Sequence, residues 1–227
     1  MVGQRAHVEV AKGNESQNKT YCSKSDPEPE EFGKQGDPRK RSDLEDFKDA
    51  VKSGERNTKR LREDHSLIAA RYPRFFDAYI RDYAPVPDLE YHPLNDWQQD
   101  LNTYLKRPPD RRTVYFVVDL EGGKGKTWFA QYYCELHDNA TLLEPGKKAD
   151  MAYALPDDVR VLFVNCTREQ TEYLNYSFLE SCKDGMVFST KYESRVKRYN
   201  AMHVVVMMNQ FPDTSKLSTD RYKIISI

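Results

Sequence analysis

The chain has 227 residues, 31% of them charged and 38% hydrophobic, with Lys+Arg 35 set against Asp+Glu 36. That length holds one substantial domain plus a smaller one or an arm, and the balanced charge still permits basic patches at Arg39-Lys-Arg41, Lys59–Arg62 and Lys191–Arg198. The longest apolar run, Val204–Met208, is far too short to cross a bilayer, and the N-terminus lacks the apolar stretch of a secretion signal, so an intracellular protein with no membrane partner is expected.

Residues 1–25 contain a β-type run, Ala6–Val10, then a polar turn and Tyr21-Cys-Ser-Lys24. The stretch 26–42, rich in Pro, Glu, Gly, Lys and Arg, reads as a linker. Ser42 or Asp43 can cap a helix carrying Leu44, Phe47 and Val51, and a second helix is predicted over Asn57–Arg71. With Phe75, Phe76, Tyr79 and Ile80 these form a small helical module over residues 43–85. A further helix is predicted over Asp96–Leu105, with Trp97, Leu101, Tyr104 and Leu105 on one stripe.

Val114–Ala130 reads as a hydrophobic strand, a glycine-rich turn and a helix start, which is how a triphosphate is held. In the loop Gly122-Gly123-Lys124-Gly125, backbone N–H groups can approach phosphate because no Cβ intervenes at the glycines. Lys126 can reach the outer phosphates, and the Thr127 hydroxyl suits Mg²⁺, so ATP and Mg²⁺ are the expected ligands. The strict pattern asks for glycine at position 120, where the chain has Leu120; the core Gly-Gly-x-Gly-Lys-Thr is intact.

After the loop, Val159–Val164, Gly185–Ser189 and His203–Met208 are strand-like, so an α/β fold with a parallel sheet and helices on its faces is predicted. The first of these runs leads into Asn165-Cys-Thr-Arg168, where a nucleotide hydrolase usually places an acid; Glu169 and Glu172 are either substitutes or surface residues. Asn209, after Met208, either positions the attacking water or caps the strand. Lys191, Tyr192, Arg195 and Lys197 either line a channel for single-stranded nucleic acid or belong to a solvated helix face. Tyr21 with Lys24 on a short helix can supply a tyrosine nucleophile. Cys22, Cys134, Cys166 and Cys182, widely spaced, are expected to be reduced and mostly buried.

Taken in order, Gln17–Lys24, the Gly122–Thr127 loop, the strand ending at Asn165, Thr190–Ser194 and Val204–Asn209 resemble the replication-associated protein, Rep, of circular single-stranded DNA viruses. The likeness covers most of the chain and is nearest the nanovirus, alphasatellite and circovirus-like groups. In that family a rolling-circle endonuclease with a metal-binding histidine pair and a Y-x-x-K motif precedes a superfamily 3 helicase with an AAA+-like P-loop core. The resemblance implies that Tyr21 matches the nicking nucleophile and Lys24 its companion. Lys126 and Thr127 then match the first nucleotide motif, Asn165 the second, Lys191 and its neighbours the DNA-contacting motif, and Asn209 the third.

Three departures stand out. Asp119 occupies the place where the family's longer loop usually begins with Gly, and Asn165 the place where it usually has Asp. The histidine motif has no match, since His7-Val-Glu9 lies too near Tyr21, and no nicking by this chain alone is expected. Residues 1–25 are accordingly read as the remnant of an α+β endonuclease domain, 43–85 as an oligomerisation module and 86–227 as the helicase domain. The resemblance further implies a hexameric homo-oligomeric ring on single-stranded DNA or RNA and a nuclear location in the host; Arg221 is the best candidate for an arginine supplied to a neighbouring subunit, or else pairs with Asp220 or another surface acid. Two other readings stand beside this one: a degenerate Rep-like fragment that binds without turnover, and a small-molecule kinase.

Overall fold

The computed structural model describes residues 15–24, 42–85, 89–192 and 194–227, and the chain divides into two compact units, Met1–Asp88 and Leu89–Ile227. The strand expected over Ala6–Val10 and all of the 26–42 linker except Ser42 lie outside the described residues.

In the first unit, α1 (Glu15–Cys22) is largely exposed, whereas α2 (Ser42–Lys52), α3 (Thr58–Asp64), α4 (Ser66–Arg71) and α5 (Pro73–Tyr83) enclose a core of Phe47, Val51, Leu61, Ile68, Phe76 and Tyr79. The single helix expected over Asn57–Arg71 is two helices. Asn57 caps the first by accepting from the Lys59 and Arg60 N–H groups, and His65, at φ −118°, ends it. Breaking the helix there re-aims the chain while Leu61 and Ile68 both stay buried. Pro73 starts α5 at its first position, where its missing N–H costs nothing.

The second unit begins with α6 (Asp96–Leu105), fixed by a capping box in which Asn95 and Gln98 satisfy each other's backbone N–H groups. Five strands follow in a wholly parallel sheet of order β2-β3-β6-β1-β7: β1 (Val114–Val118), β2 (Ala140–Leu143), β3 (Val161–Cys166), β6 (His203–Met208) and β7 (Tyr222–Ser226). Strand β6 is buried along its whole length because it lies in the sheet interior with both faces covered. Val204, Val206 and Met208 face the core of α8 (Lys148–Ala154) and α9 (Tyr176–Asp184). Val205 and Met207 face that of α6 and α7 (Lys126–Leu136).

Two expectations are corrected. The strand expected over Val159–Val164 runs from Val161 to Cys166, so Asn165 lies inside it. The Gly185–Ser189 run is not part of the main sheet. As β4 (Met186–Ser189) it pairs antiparallel with β5 (Arg195–Arg198) in a separate hairpin, packed by Val187, Ser189 and Lys197 and exposing Met186, Phe188 and Val196. The alternation of buried and exposed residues along β4 suits a half-covered hairpin better than a sheet interior.

Candidate functional site

Register places the C-terminal ends of β1, β3 and β6 side by side: Val118 is opposite Met208, and Met208 opposite Cys166. The loop after β1 therefore meets residues from two neighbouring strands. Asp119 extends the ladder by one residue, its N–H donating to the Met208 carbonyl at 3.0 Å. Asn209, immediately after β6, donates its side-chain amide to the Asp119 carbonyl at 2.8 Å.

The loop turns through left-handed backbone at Gly125, φ +78°, which a side chain would both strain and crowd. A Cβ there would come within 2.9 Å of the Gln98 amide nitrogen. Gln98, fully buried, donates to the Gly125 carbonyl, and Trp97 donates to the Lys124 carbonyl at 3.2 Å, so α6 braces the loop from one side. On the other side the Arg168 guanidinium donates to the Leu120 and Glu121 carbonyls at 2.9 and 3.1 Å. Arg168 also lines a cavity of about 570 Å³ with Glu172, Tyr176, Phe211 and Lys216.

Inside the loop, the Lys126 ammonium lies 2.8 Å from the Asp119 carboxylate, with side-chain exposures of 8% and 1%. The same carboxylate accepts from the Gly122 N–H at 2.7 Å and the Lys124 N–H at 3.3 Å. Burial works to raise the Asp119 pKa, but Lys126 and the two backbone donors outweigh it and hold the carboxyl below its ordinary value. These donors converge on an anion, so the residues present fit a phosphate. The Thr127 hydroxyl donates to the Asn165 carboxamide oxygen at 3.1 Å, bringing the start of α7 against β3. Asn165 stands where a carboxylate would supply charge to a divalent cation, and supplies none.

The loop and the two asparagines are thus gathered at one place. The other candidate residues are distributed differently. Tyr192 sits at the tip of the β4–β5 hairpin, 87% exposed, at φ +56°, its ring 5.1 Å from that of Tyr153. Lys191 pairs with Asp150, and Arg195 makes a two-pronged contact with Asp157 at 2.9 Å. Lys197 does not face a channel: it is buried, donating to the Tyr153 and Leu155 carbonyls at the end of α8, and burial lowers its pKa against the opposing pull of Asp157. Its place on the inward side of a β-strand puts it there, not on a solvated helix face.

Arg221 is not a free arginine, because its guanidinium lies 3.1 Å from Asp184 and 3.7 Å from Glu180, and its side chain is 16% exposed. Asp220 pairs with Arg112 instead. In the first unit Tyr21 is 74% exposed in the last turn of α1, with the Lys24 ammonium 6.0 Å from its ring. Cys166 and Cys182 are buried and free, with burial pushing the Cys182 thiol up to about 12. Cys134 is half-buried, and Cys22 is exposed.

The bracing roles of Gln98 and Arg168 are additions to the sequence reading. The Asn95-x-x-Gln98 spacing was a visible capping signal; nothing in sequence marked Arg168 as a loop brace.

No family model matches the chain. Among curated proteins, it is 30% identical to Para-Rep C1 of Milk vetch dwarf C1 alphasatellite over 97% of its length and 76% of that protein. It is 29% identical to the master replication protein of Subterranean clover stunt virus (strain F) over 97% and 77%. Its similarity to Para-Rep C7 of Faba bean necrotic yellows C7 alphasatellite is higher, 37%, but the aligned 139 residues span 48% of that relative. The chain thus belongs to the family of alphasatellite Para-Rep and nanovirus-type master replication proteins.

Proposed function

We propose that residues 86–227 form an ATPase of the superfamily 3 helicase type, with an AAA+-like core. In this reading it serves a rolling-circle replication initiator and acts on single-stranded DNA as a ring of identical subunits. The observation that carries the reading is the meeting of Lys126, Thr127, Asn165 and Asn209 at the ends of three adjacent strands around a loop whose donors already converge on an anion. The insertion of β6 between β1 and β3 supports it, because that order puts Asn209 between the phosphate loop and Asn165.

Lys126 and the loop N–H groups would hold the phosphates, and Thr127 with Asn165 would hold Mg²⁺, which when bound neutralises charge on the phosphate oxygens. Asn209, tied to the loop through Asp119, is placed to sense the outermost phosphate. Lys191, Tyr192 and Arg195 on the exposed hairpin would meet the nucleic acid, by ion pairing and stacking that RNA could also satisfy. For Arg221 to serve a neighbouring subunit, its contacts with Asp184 and Glu180 would first have to break.

The competing reading, a protein that binds nucleotide without turnover, is favoured by the uncharged Asn165 and by the carboxylate already holding Lys126. Phosphate release from ATP with and without single-stranded DNA, alongside Lys126→Ala, separates the two. Release that DNA stimulates and the substitution abolishes is expected. Bound nucleotide with no release would establish the competing reading.

A further inference from the structure

Asp119 is fixed more firmly than its place in a loop implies. Its N–H is bonded to Met208 and its carbonyl to Asn209, so its backbone is held from both sides by the end of β6. Its carboxylate has one ammonium and two loop N–H groups as partners, the same kinds of donor that cradle a phosphate. With 1% of the side chain exposed, water cannot take the place of those partners.

We infer that Asp119 is a resident counter-anion of the phosphate loop, so that a nucleotide binds by exchange, its phosphates taking Lys126 and the Gly122 and Lys124 amides from this carboxylate. The inference rests on the ATP-binding reading above and concerns how that site is regulated. Because the backbone is pinned, the displaced carboxylate can move only by rotating its side chain and stays close to the incoming triphosphate. Two anions then share a poorly hydrated place, and affinity is held down by that repulsion. Asn in place of Asp119 keeps the shape and an acceptor for Gly122 while removing the competing charge. Asp119 acts here through Lys126 and is a positioning residue.

The test is calorimetric titration of ATP, with and without Mg²⁺, into the wild type, Asp119→Asn, Asp119→Ala and Lys126→Ala, each checked for folding by circular dichroism. Both Asp119 variants should bind Mg²⁺-free ATP at least about tenfold more tightly than the wild type, and Lys126→Ala should lose binding. Binding in the wild type that depends on Lys126 but does not tighten in either folded Asp119 variant overturns the exchange alone. No binding to any of the four overturns the ATP reading and this inference with it. Loss of Mg²⁺-dependent binding in Asp119→Asn would mark the carboxylate as a metal ligand and also overturn the exchange. If neither variant folds, the assigned Asp119 carboxylate carbon resonance of the wild type decides: movement on adding pyrophosphate supports exchange, and a stationary signal refutes it.

Discussion

The glycine-rich loop after β1 and the β4–β5 hairpin both present cations held by carboxylates, yet the two regions differ in what those pairs cost to break. Lys126 and Asp119 are exposed by 8% and 1%, whereas Arg195 and Asp157 are exposed by 54% and 65%. Removing one partner of a buried pair strands a charge where water cannot reach it; removing one partner of an exposed pair hands the other to solvent. The Lys126 ammonium is therefore shielded from solvent by its carboxylate, while the Arg195 guanidinium remains half-exposed beside its own. Backbone follows the same division: the loop uses glycine where φ is positive, and the hairpin tip holds Tyr192 at φ +56°. A left-handed non-glycine residue costs on the order of 1 kcal/mol, so the hairpin spends stability to present an aromatic ring.

The largest expected effect breaks the buried pair. Lys126→Ala leaves the Asp119 carboxylate inside the protein without its cation, a change of about 3–5 kcal/mol in unfolding free energy by the behaviour of buried pairs. Adding Asp119→Asn should recover most of it, and chemical denaturation of the two single variants and the double variant measures the coupling. A double variant no more stable than Lys126→Ala would show that the loss came from packing. The pH dependence has a definite sign. Asp119 is held below its ordinary pKa, so its contribution is present above about pH 4, where an unfolded Asp is already ionised, and drains away as pH falls through the lower folded value.

Next in size is Gly125→Ala. The φ of +78° and the 2.9 Å approach to Gln98 together should cost about 1–3 kcal/mol in stability. The same substitution should weaken nucleotide binding by disturbing the carbonyl that Gln98 holds. An unchanged unfolding midpoint would mean that the α6 brace yields without cost.

How much of this was legible in the chain follows from where the information resides. The glycine-rich turn between β1 and α7 was legible because its pattern is local: three glycines, a lysine and a threonine at fixed spacing. Strands β1, β3 and β6 announced themselves as apolar runs, as interior parallel strands do. Strands β2 and β7 lie at the sheet edges with mostly half-buried residues, and Ala140–Leu143 and Tyr222–Ser226 are too short and mixed to stand out. Strand β5 reads Arg-Val-Lys-Arg, and its hidden lysine is explained only by the end of α8 folding onto it, a contact made 42 residues away. Asp119 was visible as a departure from pattern, but its partnership with Lys126 and the loop amides depends on the turn being closed.

The smallest expected effect sharpens the comparison from the exposed side. Asp157→Asn releases Arg195 from its two-pronged contact at little cost, since surface ion pairs of this kind rarely exceed about 1 kcal/mol. Unfolding should be nearly unaffected. Affinity for a single-stranded oligonucleotide should rise a few-fold, about what freeing one cation for a phosphate gives at moderate salt, and its dependence on salt should steepen. Lys197 is the internal control, because its ammonium is committed to the α8 carbonyls: Lys197→Ala should reduce stability more than Asp157→Asn does. If fluorescence anisotropy instead shows Asp157→Asn binding no better than the wild type while unfolding easily, the hairpin pair is a structural strut like the one in the loop. The contrast between the two regions would then lie in their backbones alone.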